Sequence, residues 1–225
     1  MTIAAVLWLS HALALQAGPY ALEVEVVTET KLPVVGTKQV HTISSVLAEL
    51  RRDGDGWVQE QRTCDVQVVG GGPAQTTIPP GFLASLPVQR IPLELVDGGY
   101  RVDGGPVTVG ADPSSPLPLE RNDGAVRDSD GDGQPGVTVW VDAPVVGRVE
   151  MYVAQRAHSV LEGRLTEGGA SGRVVVKHME QRTLGASNRL LAVNPTIRPV
   201  EEASTFRLLP IDRADCAAVR AALER

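Results

Sequence analysis

The apolar residues of this chain recur at every second position, and that period decides what it can fold into. Leu22, Val24 and Val26 alternate with Glu23 and Glu25. Ile91, Leu93 and Leu95 alternate farther on, and Val137, Val139 and Val141 alternate with Thr138, Trp140 and Asp142. Successive side chains of a β-strand point to opposite faces, so each run has one buried and one wet face. Asp53-Gly-Asp-Gly56, Asp97-Gly-Gly99 and Glu167-Gly-Gly-Ala-Ser-Gly172 are turn signals that separate such runs. The pattern predicts an all-β fold, an antiparallel barrel or sandwich.

The runs also echo one another. Pro33-Val-Val-Gly36 returns as Pro144-Val-Val-Gly147, Ser45-Val-Leu47 as Ser159-Val-Leu161, Gln61-Arg-Thr63 as Gln181-Arg-Thr183, and Thr77-Ile-Pro-Pro80 as Thr196-Ile-Arg-Pro199. One such match is what chance supplies. Four in the same order point to two related halves, about residues 20–102 and 137–210, too long to be units of a solenoid. The Pro-rich stretch 103–127 reads as a linker between them, within a single β domain over 15–225. The exception to the β pattern is a short C-terminal helix expected over 212–224. Asp212 would cap it, and Cys216, Val219 and Leu223 fall on one face.

Residues 1–14 carry no Asp, Glu, Lys or Arg and end in Ala12-Leu13-Ala14, the small-x-small pattern of a signal-peptide cleavage site. Their apolar run is shorter than the ~20 residues that span a bilayer. The expectation is a periplasmic or extracellular protein that does not span the membrane. An oxidising compartment gives meaning to the two cysteines, Cys64 and Cys216, which are expected to form a disulfide. A formal charge of −6 argues against a nucleic-acid binder.

One chemical motif stands out. Asp128, Asp130 and Asp132 form D-x-D-x-D-G with Gly133, so alternate carboxylates of one tight loop, 128–136, can converge. Hard oxygens at that spacing suit Ca²⁺, and Gln134 could add its backbone carbonyl. The loop resembles those of EF-hands, dockerins and thrombospondin type 3 repeats over about ten residues. The resemblance implies Ca²⁺ as cofactor and says nothing about the rest of the chain. Where the EF-hand has its closing Glu, this chain has Val139, so the last ligand is expected from Asp142 or from Asp123. With so few fixed carboxylates the affinity belongs in the extracellular range of about 10⁻⁴–10⁻³ M.

The Gln-Arg pair recurs at 61–62, 89–90, 155–156 and 181–182. If Arg62, Arg156 and Arg182 face a barrel interior, they could hold an anionic group by bidentate hydrogen bonds. A barrel of about eight strands can enclose one small ligand. No G-x-S-x-G, H-E-x-x-H or P-loop is present, and His41, His158 and His178 lack partners at metal-ligand spacing. No catalytic residue is assigned; a hydrolase would need a site assembled from distant residues. The expected function is an exported, calcium-binding β-barrel protein that holds a small apolar or anionic ligand. The alternative is a non-catalytic surface or matrix module that binds a protein partner through a calcium-stabilised loop.

Overall fold

The computed structural model describes residues 15–32, 36–144, 146–189 and 192–224. The signal-peptide segment 1–14 lies outside them, as do residues 33–35 and 145 of the two Pro-Val-Val-Gly motifs.

Eleven strands form one antiparallel sheet. They are β1 (Gly18–Leu32), β2 (Gly36–Asp53), β3 (Gly56–Gly70), β4 (Gln75–Thr77), β5 (Gln89–Glu94), β6 (Gly99–Val109), β7 (Val137–Ala143), β8 (Gly147–Thr166), β9 (Gly169–Ala186), β10 (Thr196–Pro199) and β11 (Thr205–Pro210). The short helix α1 (Pro80–Ser85) precedes β5, and α2 (Cys216–Leu223) ends the described chain. Pairing runs β1–β2–β3–β5–β6–β8–β9–β11 and returns to β1, so the sheet closes into a barrel and leaves no edge along that ring. Beyond it, β4 bridges β3 and β7, and β10 pairs with the far end of β1. The long strands therefore extend past the first ring into a second, upper storey.

Strand pairings in the regions expected as two halves resemble one another. β4 of the first half reaches across to β7, as β10 of the second reaches across to β1. β1 runs unbroken along β2, whereas the equivalent place beside β8 is filled by β6 and β7 in succession. Segment 110–136 is inserted between those two strands. Each long hairpin has a bulge at the same place, seven residues before its turn: Val46 before Asp53, and Ser159 before Thr166. The extra residue re-aims and coils the strand. The individual letter matches are less faithful than the topology. Leu47 packs on the outer wall beneath α2, while its sequence echo Leu161 belongs to the interior core.

The lower storey is filled. Tyr20, Leu22, Leu50, Tyr100, Phe206 and Leu208 are all buried within the ring, with the Tyr100 and Phe206 rings 5.2 Å apart. Outside the wall, α2 sets Val219 on Ala21 and Leu47 and is tied to β3 by the Cys64–Cys216 disulfide, Cα–Cα 5.4 Å. Cys64 is the extra residue of the β2–β3 bulge, which frees its side chain from the regular alternation. No helix among the described residues is long and apolar enough to cross a membrane.

Three boundaries differ from the sequence expectation. The helix begins at Cys216, and its cap is Asp215, whose carboxylate accepts the Ala218 N–H at 2.7 Å. Asp212 lies a turn too early because residues up to 214 do not take helical form. The segment expected as a linker from 103 is strand until Val109, since Gly105 takes a positive φ and the chain bulges past Pro106 without leaving β8. The third is α1, which has six residues and no sequence period of its own.

Candidate functional site

The upper storey encloses a cavity of about 530 Å³. The inward positions there are small and branched, so they leave the space that the lower storey's rings and leucines fill. β1 contributes Val24, Val26, Thr28 and Thr30, every second residue, and β8 contributes Met151 through Ser159 in the same way. On one flank α1 brings in Phe82, which packs with Val109, Val137 and Val153. The lining is mainly aliphatic with scattered hydroxyls and two amides, Gln155 and Gln181. Lys38, directly across from Thr30 in the β1–β2 register, is the one ionisable residue among the described residues of the lining.

The arginines expected inside are outside. Gln155 and Gln181 face the cavity, and in a strand the next residue must face away. Arg156 instead clamps the insert, donating to the Ser115 carbonyl at 2.6 Å, the Pro113 carbonyl at 3.2 Å and the Thr108 hydroxyl at 2.9 Å. Arg182 pairs with Glu180 at 2.8 Å, and Arg62 is exposed on the outer wall. None of the three lines the cavity.

The second feature is the acidic loop. It closes the insert that leaves β6 at Gly110 and enters β7 at Gly136. Asp128, Asp130 and Asp132 offer oxygens that all lie within 4.8 Å of one another, a cluster that could hold a metal ion. Asp128 organises the turn by accepting the N–H groups of Gly131, Asp132 and Gly133. Asp130 accepts the Thr138 N–H at 2.8 Å through one oxygen, while Oδ1 is buried without a hydrogen-bond partner. Burial first, and the neighbouring Asp132 and Asp128 charges after it, push the Asp130 carboxyl above the usual range. Such a group is costly as an anion unless a cation sits beside it. Thr138 also donates its hydroxyl to Asp132, so the loop is braced on the outer face of β7, whose Val139 and Val141 line the cavity.

The remaining proposed ligands are placed differently. Asp142 is not in the cluster; it makes a two-pronged ion pair with Arg148, at 3.1 and 3.0 Å. It sits at the far end of β7, where the β7–β8 register sets it opposite Arg148. Asp123 accepts the Ala125 N–H, and Gln134 donates its N–H to Asp132 at 2.8 Å. Three histidines face carboxylates, His41–Glu25 and His158–Asp103 at 2.7 Å and His178–Glu180 at 3.8 Å. His41 and His158 lie on outward positions of β2 and β8, away from the cavity lining. Lys38 was legible in principle, because it shares the inward phase of Val40, Thr42 and Ser44, but one valine is a thin apolar signal. Comparison with known proteins finds no match: no family model, no curated protein and no solved structure.

Proposed function

We propose that this chain is an exported carrier-type β-barrel that holds one small apolar molecule in its upper storey, with a structural Ca²⁺ at Asp128, Asp130 and Asp132. The observation that carries the reading is the cavity. Protein interiors are packed like organic crystals, with few voids larger than a water molecule. A space of about 530 Å³ lies within the range of ligand pockets, and its walls are mostly aliphatic. An apolar occupant supplies the contacts that the missing large side chains do not.

Export is supported by the character of residues 1–14 and by the disulfide, which persists in oxidising compartments. Calcium is supported by a donor set made only of carboxylate oxygens and by the buried, unpartnered Oδ1 of Asp130. The ion would stiffen β7 and with it one wall of the cavity; it does no chemistry. The reading as a protein-interaction module has less support. The exposed large apolar residues Val69, Val88, Val96, Leu119 and Val146 are dispersed over separate segments of the chain.

Native mass spectrometry of the exported protein, with and without chelator, tests both parts. The expected spectrum carries a calcium adduct that is lost in Asp130→Ala. The neutral fluorophore N-phenyl-1-naphthylamine is expected to bind the wild type, and Ala157→Trp, which fills the cavity from β8, is expected to abolish that binding while the disulfide stays formed. A metal-free mass in millimolar calcium removes the ion from the proposal. Failure of the fluorophore and of co-purified small molecules to appear removes the carrier.

A further inference from the structure

The lining of the cavity is asymmetric in charge, and this specifies the occupant more narrowly. Among its described residues there is one cation, Lys38, and no carboxylate. Lys38 pairs with Thr30, two residues after β2 begins at Gly36. It is exposed, so its ammonium reaches solvent while its strand position aims the stem inward.

Nearby carboxylates do not neutralise it. Glu29, opposite Gln39 in the β1–β2 register, is engaged by Arg198. Among the described residues no carboxylate lies within ion-pair distance of Lys38. The rest of the wall is mainly aliphatic, with hydroxyls and amides but no further charge among its described residues. Val24 and Thr30 are separated by about 20 Å of strand at ~3.3 Å per residue, with Val26 and Thr28 between them.

We infer that the ligand is a single-chain amphiphile with an anionic head, its tail lying along β1 and β8 and its head held by Lys38. The inference rests on the carrier reading and adds the ligand's chemical class. A mainly aliphatic lining with a single cation among its described residues suits a molecule with charge at one end and hydrocarbon for the rest. A cationic head would meet Lys38 as a like charge. A neutral chain would fill the same space without using it. Lys38 would donate its N–H groups to the anion, as charge-assisted hydrogen bonds. The pair is solvent-exposed, so its contribution is modest and falls with ionic strength.

The test uses three probes of equal chain length on the disulfide-bonded protein: a saturated carboxylate, the corresponding alcohol and the corresponding trimethylammonium. The alcohol reports on the cavity alone. At low salt the carboxylate is expected to bind roughly three- to fivefold more tightly than the alcohol, and the trimethylammonium less tightly than either. Lys38→Met is expected to bring the carboxylate-to-alcohol affinity ratio, measured within that variant, to about one or below. Lys38→Glu is expected to reverse the wild-type order, and Lys38→Arg to keep it. If all three probes bind equally in wild type and in Lys38→Met, the anionic-head inference falls and the carrier stands. If the alcohol itself fails to bind, the carrier reading falls, and the head-group inference falls with it.

Discussion

Tyr100 and Gln59 show what a polar pair costs inside the filled storey. Both are fully buried, and the Tyr100 hydroxyl donates to Gln59 Oε1 at 2.5 Å. Burial pushes that hydroxyl's ionisation well above its ordinary range, so it stays a donor. Gln59 Nε2 is buried with no hydrogen-bond partner, so the amide already carries an unmet donor and its oxygen depends on Tyr100. Tyr100→Phe is expected to destabilise the fold by about 1–3 kcal/mol, because it strands a buried carbonyl oxygen. Adding Gln59→Leu is expected to recover part of that loss; urea denaturation of the two variants and the double variant checks it. At this scale the sequence spoke unevenly. The cysteines and the three aspartates are legible because their chemistry admits few uses. The arginines are not. On β8 the phase of Met151, Val153 and Ala157 and the phase of Tyr152, Ala154 and Val160 are both apolar, so alternation alone could not say whether Gln155 or Arg156 turns inward. The deciding partners, the carbonyls of Pro113 and Ser115, are some forty positions away in the chain.

Among the elements, the insert between β6 and β7 depends on how its ends are made. Gly110 and Gly136 both have positive φ and both press on the Val153 carbonyl. A Cβ at either would lie 2.5 or 2.4 Å from that oxygen. Neither the backbone angle nor the contact tolerates a side chain. Gly136→Ala is expected to destabilise the protein by at least about 1–3 kcal/mol. It should also weaken the rise in melting temperature that calcium is expected to give under the proposed metal site, since Asp130 and Asp132 are anchored to Thr138, two residues on. A calcium response equal to wild type would show that the loop is set independently of this junction. The strands flanking the insert were readable from their alternation and turn residues. α1 was not, because six residues opened by Pro79-Pro80 carry too little periodicity to distinguish helix from loop.

For the molecule as a whole, the disulfide fixes a helix to the outside of a wall whose neighbouring residues Thr63 and Val66 line the cavity. Cys64–Cys216 joins β3 to α2 across a separation of 152 residues and holds Val219 over Ala21 and Leu47. Its replacement by Ala at both positions is expected to lower stability by about 2–4 kcal/mol. Calorimetry of the double variant checks this, and an unchanged melting temperature would mean that packing alone seats α2. The all-β, antiparallel class was visible in sequence because strand period and turn residues are local properties. Closure was not, because it depends on β11 meeting β1 across nearly the whole chain. Nor was the division into a filled and a hollow storey, which depends on which side chains face one another across the interior.

The pinched junction at Gly110 and Gly136 carries an engineering consequence. A Cβ on Gly110 would lie 3.0 Å from the Gly136 Cα, so the insert departs and rejoins at nearly one point. Such a site is a natural graft port: residues 111–135 could be exchanged for another folded segment without disturbing the strand pairings that close the barrel. The guest would have to bring its own roof. Ala111 and Leu117 now shelter Tyr152, Ala154 and Leu184 on the outer wall, and removing them would leave an apolar patch bare to solvent.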